Sequence, residues 1–542
     1  QCISGIKSGI RRHSFAIVLG VVLLTALALR LYGINWDQGF AWTPHPDERM
    51  VLMKVGEELS LSFPPHLSQL LDPETSPFNP RWFNYGSFPL YLLKVVSGAL
   101  SCFKESLAGS DMGLVGRGIS VLFGVGTVFL VYLLGRRLYN RRVGLLAAIF
   151  LAFAVIHIQH SHFCTVDVTL TFFCTLTLLS SLRLMERTDV RSAVLTGICF
   201  GLALATKIGA APLLFTVVAA CALYCFTERG SLSISRVKKA IYCLLITGAV
   251  TALTVVVAEP YIVIDKGTFL TNTFWECREA RGGEDVPYTR QYINTTPYLY
   301  QIWQMVTWGM GPPLGVVAWG GLLFTLVMAF ARHRRGDILI LSWVVTYFLM
   351  VGSCHARFMR YMLPLTPILC LMGAQMLFVG RDWLKQRWGR PSLHHVVDIP
   401  VGVVIVSSVF YSLAFVNIYS SPHSAVQMSR WINENVAPGS HIAKEHWDEG
   451  LPNLDAYPQT ALSLYDPDNV AKVNCIAQQL QETDYLVFYS NRLYGTIPRL
   501  PERYPITSRY YQLLFSEELG FELVHFTTCY PNLLGVSFVD DT

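Results

Sequence analysis

The chain has 542 residues, of which 52% are hydrophobic and 15% are charged, and its mean hydropathy is +0.40. These values exclude an ordinary soluble domain and indicate a polytopic α-helical membrane protein. The net charge of +5 comes without a basic tail or stripe, so we expect no nucleic-acid partner.

The thirteen cysteines are scattered, and several lie inside apolar runs. They form neither a CxxC pair nor a Cys/His pattern with metal-ligand spacing. We therefore expect no zinc site, no other metal and no disulfide framework.

Eleven apolar runs are long enough to cross a membrane. The first extends from Ser14 to about Tyr32, and no small-residue cleavage site follows it, so we interpret it as a retained span. Gln1 is not an initiator, so we expect a fragment or a processed chain. The other ten predicted spans are 114–135, 143–159, 166–182, 192–206, 209–226, 240–258, 314–330, 338–352, 363–379 and 399–418.

Basic residues orient these spans. Six short segments on one side, including the N-terminus, hold 21 of the 42 Lys and Arg residues, which predicts that this side is cytoplasmic. The segment 88–103 is then expected to lie along the outer interface. Read as a true span, it would place Arg136, Arg137, Arg141 and Arg142 outside.

The predicted organisation is a membrane domain over 1–418 followed by a small extracytoplasmic α/β domain over 419–542. Within the membrane domain, outer loops occupy 33–113 and 259–313. Residues 425–435 are predicted to form a helix, 437–440 a turn and 485–489 a strand. We expect an inner-membrane protein of bacterial type, with a cytoplasmic N-terminus and an outer C-terminal domain.

A charged motif follows the first span, at Pro46-Asp47-Glu48 with His45 before it. A carboxylate beside a bilayer meets a low effective dielectric, which can make it a better base. Asp47 is therefore our candidate base. The alternative interpretation is an ordinary solvated loop.

Further ionisable residues lie at the predicted outer ends of spans, where charge is expensive and suggests function. Lys207, Arg357 and Arg360 can neutralise a phosphate, although interfacial snorkelling explains each of them equally well. Asp167 can cap its helix or bind substrate, and His160 lies on the same predicted face. For Arg117, which begins a span, we favour a headgroup anchor.

Five ordered motifs together resemble a known family. They are Pro46-Asp47-Glu48, Gly116-Arg117, Val166-Asp167, the Gly-rich run Gly201 to Thr206-Lys207, and Arg360-Tyr361-Met362-Leu363-Pro364. The pattern is similar to that of GT-C glycosyltransferases that use polyprenyl-phosphate sugars. More narrowly, it resembles bacterial relatives of the protein O-mannosyltransferases and of the lipid A aminoarabinose transferases.

This resemblance implies a GT-C-like fold and transfer of one sugar from a polyprenyl-phosphate donor to an acceptor hydroxyl at the outer membrane face, with inversion. Asp47 inherits the role of base, and Glu48 would support it or contact the sugar. The Lys-Pro-Pro element of lipid A transferases is missing here, so the donor phosphate would be met by Lys207, Arg357 or Arg360, or by the Tyr85 and Ser87 hydroxyls. Glu276 would touch the acceptor, whose identity stays open.

No cofactor or metal is expected, because fixed Lys and Arg charges can stabilise the leaving phosphate. Two alternative functions remain. A transporter or flippase of a lipid-linked or anionic substrate predicts charges near mid-span and broken helices. A non-catalytic scaffold predicts that Asp47→Asn leaves function intact.

Overall fold

The computed structural model describes residues 2–40, 43–60, 66–226, 232–388 and 395–539. In chain order the helices are α1 Cys2–Leu31, α2 Pro46–Met53, α3 Ser87–Leu100, α4 Met112–Leu138, α5 Arg141–Ala152, α6 Val155–Ser161, α7 Val166–Arg187, α8 Val190–Thr206, α9 Leu213–Cys225, α10 Ile234–Ala258, α11 Tyr261–Ile264, α12 Lys266–Ala280, α13 Leu299–Gln304, α14 Pro312–Arg332, α15 Arg335–Gly352, α16 Thr366–Trp388, α17 Ile399–Val416, α18 Ser424–Asn435, α19 Val470–Gln481 and α20 Pro505–Phe515. The strands are β1 Ile442–Glu445, β2 Gln459–Leu462, β3 Tyr485–Val487, β4 Asn532–Leu533 and β5 Val536–Ser537.

The protein is a multi-pass membrane protein. Within the described ranges, nine helical stretches are long and apolar enough to cross a membrane, and the bent pair α5 and α6 makes a tenth if it counts as one span. The predicted run 192–206 forms α8, which has 17 residues and is apolar but shorter than the others. All eleven predicted spans are therefore helical, but in the described ranges only nine or ten are long enough to cross a membrane. The expected helical membrane fold is confirmed.

The predicted interfacial segment forms α3, a helix of 14 residues. At 1.5 Å per residue it is about 21 Å long, which is shorter than the roughly 30 Å hydrocarbon core of a bilayer. Its placement along the interface stays a prediction.

The chain forms two compact units. Unit 1 comprises residues 1–34, 47–277 and 296–413, and unit 2 comprises 35–46, 278–295 and 414–542. The second unit thus contains short pieces of both predicted outer loops as well as the C-terminal region.

The core of unit 1 is built from close helix packing. A Cβ added at Gly321 on α14 would lie 2.3 Å from the backbone nitrogen of Gly373 on α16. The two helices can approach this closely because neither residue carries a side chain. Large buried side chains such as Trp343 and Phe150 fill the same core.

Unit 2 contains a three-stranded parallel sheet in the order β2-β1-β3. Ile442 pairs with Gln459 on one side and with Tyr485 on the other. A short antiparallel pair, β4 and β5, turns at Leu534 and Gly535, which both have positive φ as a two-residue hairpin turn requires. The predicted small α/β character of the C-terminal region is confirmed.

Candidate active site

Asp47 lies in the first turn of α2, where an acid complements the positive end of the helix. Its Oδ2 atom lies 3.0 Å from Nη1 of Arg360. Arg360 belongs to a short 3-10 turn, Met359–Leu365, that leads into α16. The two side chains are only 17% and 18% exposed, so this ion pair is largely removed from water.

A second ion pair joins Asp167, at the start of α7, to Lys207, just after α8. The Lys207 Nζ atom donates to Oδ1 of Asp167 over 3.2 Å. Because α7 and α8 are consecutive helices, the start of the first and the end of the second meet at one end of the bundle. The Nζ atom also lies 5.0 Å from the ring centre of Tyr85 and 5.1 Å from that of Tyr361, within cation–π range.

Tyr85 connects the two ion pairs. Burial raises the pKa of its hydroxyl well above the usual range, and the negative charges of Asp47 and Asp167 raise it further, against the opposing effect of Arg360. Tyr85 therefore lies within electrostatic range of both pairs and stays protonated at neutral pH. Its hydroxyl can donate a hydrogen bond to an anion.

Gly86 fixes the Tyr85 segment against the end of α8. Its N–H donates to the Thr206 carbonyl over 3.0 Å. A Cβ at Gly86 would lie 1.9 Å from the Ala205 carbonyl oxygen, which belongs to the backbone and cannot swing away. Only glycine permits this contact between the first loop and the residue before Lys207.

We expect Gly86→Ala to displace Tyr85 and to destabilise the protein by about 1–3 kcal/mol, as overpacking does. Gly98→Ala is the matched control, because Gly98 lies in α3 and a Cβ there meets nothing within 4 Å. The melting midpoints of both variants are measured by thermal unfolding in detergent. Equal midpoints for the two variants would contradict the steric role of Gly86.

Glu276, on α12, is bonded to the first outer loop beside this cluster. Its Oε1 accepts a short hydrogen bond from the Asn84 side chain. Burial raises the pKa of Glu276, while Lys207 and Arg360 oppose that rise, so its carboxyl also lies within range of the cations. Nearby, the side chain of Asn272 accepts from the N–H of Phe83 over 2.9 Å, which holds α12 against the same loop.

Glu48 takes a different place from its neighbour Asp47. Its Oε1 accepts from Nε of Arg117 at 2.7 Å and its Oε2 from Nη2 at 2.9 Å, and the N–H of Cys164 adds a further bond of 2.9 Å. Glu48 is fully buried and Arg117 is 3% exposed. Our interpretation of Arg117 as a headgroup anchor is therefore wrong, and Glu48 holds α2 in place.

The remaining predicted site residues are distributed as follows. His160, on α6, is buried and within electrostatic range of Asp167. Arg357 is buried three residues before Arg360. His45 belongs to unit 2, and its N–H donates to the Thr43 hydroxyl over 3.4 Å.

Arg30 was not singled out from the sequence, although a charge inside an apolar run is a signal. It is fully buried in α1. Its guanidinium donates to the carbonyls of Leu151 and Ala152 at 3.3 Å each, and one nitrogen lies 3.0 Å from Nδ1 of His157. Arg30 thereby satisfies the carbonyls left open where α5 ends and the chain bends by 59° into α6.

Glu259, immediately after α10, caps the N-terminus of α3 by bonding its first residue, Ser87. Its Oε1 lies 3.2 Å from the N–H of Ser87 and 3.3 Å from the Ser87 hydroxyl, both of which donate to it. Burial raises the pKa of Glu259 to about 7, against the lowering effect of these two bonds.

This shift predicts a pH-dependent stability. A carboxyl whose folded pKa exceeds its unfolded value stabilises the folded state below the unfolded pKa, and that stability is lost as the pH rises through the folded one. Between about pH 4.5 and pH 7, we expect unfolding to become easier by up to about 3 kcal/mol from this group. Melting midpoints across that range should fall less in Glu259→Gln than in wild type. Parallel curves would contradict the assignment.

Three buried atoms of the cluster have no hydrogen-bond partner among the residues that the structure describes. They are Nε of Arg360, Oδ2 of Asp167 and Oδ2 of Asp47, the last of which has the ion pair with Arg360. Buried polar atoms are almost always bonded, so water or a bound substrate can supply the missing partners here. Over the same described ranges, no three His, Cys, Asp or Glu side chains are grouped to hold a metal ion.

Comparison with known proteins finds one matching sequence family and several structures with a similar fold. Residues 102–258 match the family model described as dolichyl-phosphate-mannose-protein mannosyltransferase. No curated protein sequence matches the chain. The matched segment, under a third of the chain, contains Arg117, Asp167 and Lys207.

Two structures of oligosaccharyltransferase from Archaeoglobus fulgidus, the second of them named AglB, share the fold. The apo form has a TM-score of 0.52 at 14% identity and covers 82% of this chain and 64% of that one. The complex with an inhibitory peptide and a dolichol-phosphate has a TM-score of 0.53 at 14% identity and covers 92% and 72%. This chain thus spans under two thirds of the length of the apo structure.

A third structure, ArnT from Cupriavidus metallidurans bound to undecaprenyl phosphate, has a TM-score of 0.44 at 14% identity and covers 87% of this chain and 88% of that one. The resemblance to GT-C glycosyltransferases is confirmed by the matched segment and by the AglB fold.

Proposed function

We propose that the protein transfers a single sugar from a polyprenyl-phosphate carrier to an acceptor hydroxyl, with Asp47 as the general base. The observation that carries this proposal is the cluster of Asp47, Arg360, Lys207, Asp167 and Tyr85. It unites a candidate base, two cations and a phenol that can donate.

The cations are suited to a phosphate. Arg360 uses Nη1 on Asp47, and its buried Nε has no partner in the described part of the chain. A guanidinium carries five N–H donors, so it can hold the carboxylate and a phosphate oxygen together. Lys207 supplies a second, compact positive charge, and Tyr85 a neutral donor.

An apolar groove is evidence that the carrier has a long isoprenoid chain. It has a volume of about 490 Å³ and lies among α8, α9, α10 and α11, with Leu204, Val217, Leu244 and Ile262 in its wall. Leu204 precedes Lys207 by three residues, which is less than one helical turn. A chain lying in this groove would bring its phosphate end toward Lys207.

The proposed chemistry is one displacement. Asp47 accepts the proton of the acceptor hydroxyl as its oxygen attacks the anomeric carbon. The bond from that carbon to the phosphate oxygen breaks on the opposite face, and polyprenyl phosphate leaves as an anion held by Arg360 and Lys207. One carboxylate is sufficient, because the leaving group needs no proton, and the configuration inverts.

The matched family model and the AglB complex with a dolichol-phosphate favour a lipid-linked donor. Charge asymmetry of the loops favours the outer face of a bacterial inner membrane for the reaction. The acceptor can be a protein, a lipid or a glycan, and the mechanism requires no cofactor or metal.

Removing the Lys207 charge should weaken donor binding. A hydrogen bond to a charged group contributes roughly 1.5–3 kcal/mol, so we expect Lys207→Met to raise the donor KM about ten- to hundredfold. Lys266→Met, a charge removal at the start of α12, is the control and should leave KM unchanged. A donor KM of Lys207→Met equal to that of wild type would show that Lys207 does not bind the donor.

The function itself is tested with purified protein in detergent, labelled polyprenyl-phosphate sugars and membrane extract. We expect label to pass to a new product and free polyprenyl phosphate to appear in equal amount. A transporter would instead leave the donor intact in detergent and move it only in sealed vesicles, and that result would overturn the proposal.

A further inference from the structure

The three parallel strands of unit 2 end at one edge of its sheet. β1 lies between β2 and β3, so the chain leaves the centre of the sheet toward both sides. In open parallel sheets, ligands bind outside the carboxyl ends of the strands at such a reversal of strand order. The loops after β1 and β3 meet at this edge.

Asp448 joins the two loops. It accepts from the Ser490 N–H at 3.0 Å and from the Ser490 hydroxyl at 2.9 Å, so the loop after β3 is tied to the loop after β1. Arg492 donates to the Trp447 carbonyl over 2.7 Å from the same side. The loops after β1 and β3 are therefore bonded to each other at this edge of the sheet.

Trp447 is held in an unfavourable position. It has φ of +73°, a region that bulky residues avoid, and its side chain is 43% exposed. A strained backbone that presents a large aromatic side chain to solvent is typical of a functional position.

Glu445, the last residue of β1, offers an unsatisfied polar atom at the same edge. It is 3% exposed, and its Oε1 accepts a short hydrogen bond from Tyr511. Its Oε2, and the hydroxyl of the neighbouring Tyr510, are buried without a hydrogen-bond partner in the described part of unit 2. Burial raises the pKa of Glu445 to about 8, so the carboxyl is largely neutral at pH 7 and can also donate.

These groups indicate the class of ligand. The Asp448 carboxylate disfavours an anion, and the nearby Arg492 already donates to the Trp447 carbonyl. Within the described residues no three-residue metal cluster exists. A neutral acid, a phenol and an exposed indole match a molecule with several hydroxyls and one apolar face, which is a sugar ring.

We propose that the edge of the sheet at Glu445, Trp447, Asp448 and Tyr510 binds a sugar ring. The indole of Trp447 covers the apolar face of the sugar. Glu445 and Tyr510 bond the sugar hydroxyls once the loop after β1 has opened slightly. This second site lies in unit 2, apart in the chain from Asp47, Lys207 and Arg360. A sugar bound at this site identifies the acceptor as a saccharide-bearing molecule. Only this identification of the acceptor rests on the proposed function.

Saturation-transfer NMR on the full chain in nanodiscs tests the site, with methyl glycosides of hexoses, pentoses and N-acetylhexosamines as probes. We expect transfer from wild type to at least one glycoside, and about three- to tenfold weaker binding to Trp447→Ala. Glu445→Leu should weaken binding similarly, whereas Trp383→Ala, which removes another exposed indole, should not change it.

No transfer from wild type to any glycoside would overturn the inference, as would equal binding by Trp447→Ala. Sugar transfer from the labelled donor is measured on the same preparation. Donor transfer without glycoside binding would contradict this site alone, and glycoside binding without donor transfer would contradict the proposed function alone.

Discussion

Asp47→Asn is expected to lower kcat for sugar transfer by about 10²- to 10⁴-fold, the range that a positioned general base contributes. Asparagine keeps the size of the side chain and an oxygen that can accept from Arg360. It cannot take a proton from the acceptor hydroxyl. The loss should therefore appear in kcat, while the donor KM changes little.

Equal folding must be shown for this comparison. Melting midpoints of Asp47→Asn and wild type in detergent should agree closely, because the contact with Arg360 is retained in weaker form. Glu57→Gln is the matched control, since Glu57 is an exposed acid in the turn that follows α2. Undiminished transfer by Asp47→Asn would exclude Asp47 as the base and favour the scaffold interpretation.

Arg117→Met should destabilise the protein by about 3–5 kcal/mol, because it leaves the Glu48 carboxylate buried without its cation. The pair is bidentate and almost completely shielded from water. Since Glu48 follows Asp47 directly in α2, the active site should also be disordered, and transfer should fall together with the melting midpoint.

Two further variants separate this effect from simple loss of a residue. Arg137→Met breaks a pair with Glu186 whose side chains are 33% and 40% exposed, and it should change stability by at most about 1 kcal/mol. The double variant Glu48→Gln with Arg117→Met removes both buried charges and should recover part of the lost stability. A double variant as unstable as Arg117→Met would contradict the importance of charge pairing.

The membrane fold was accessible from the sequence because hydropathy is a local property. Each apolar run must satisfy its backbone within itself, so a run of sufficient length predicts a helix without knowledge of its neighbours. The run 143–159 shows the limit of this rule. It bends between α5 and α6, where Arg30 from α1 bonds the open carbonyls, and that contact lies more than 120 residues away in the chain.

The candidate site was accessible only in part. Asp47, Lys207 and Arg360 stood out because charges at helix ends are expensive, and the motifs around them resemble a family. Their pairing could not be predicted, since Asp47 and Arg360 meet only through tertiary folding. The separate roles of Asp47 and Glu48 also required the structure, because adjacent residues on a helix point in different directions.

The most direct test of single-displacement transfer is the configuration of the product's new glycosidic bond. Wild-type protein is incubated with a labelled polyprenyl-phosphate sugar of known anomeric configuration and an acceptor-containing extract, and the isolated product is examined by NMR. We predict the opposite configuration at the anomeric carbon. A product with the same configuration would require a covalent sugar intermediate and contradict Asp47 as a general base, and the absence of any product would contradict the transferase itself.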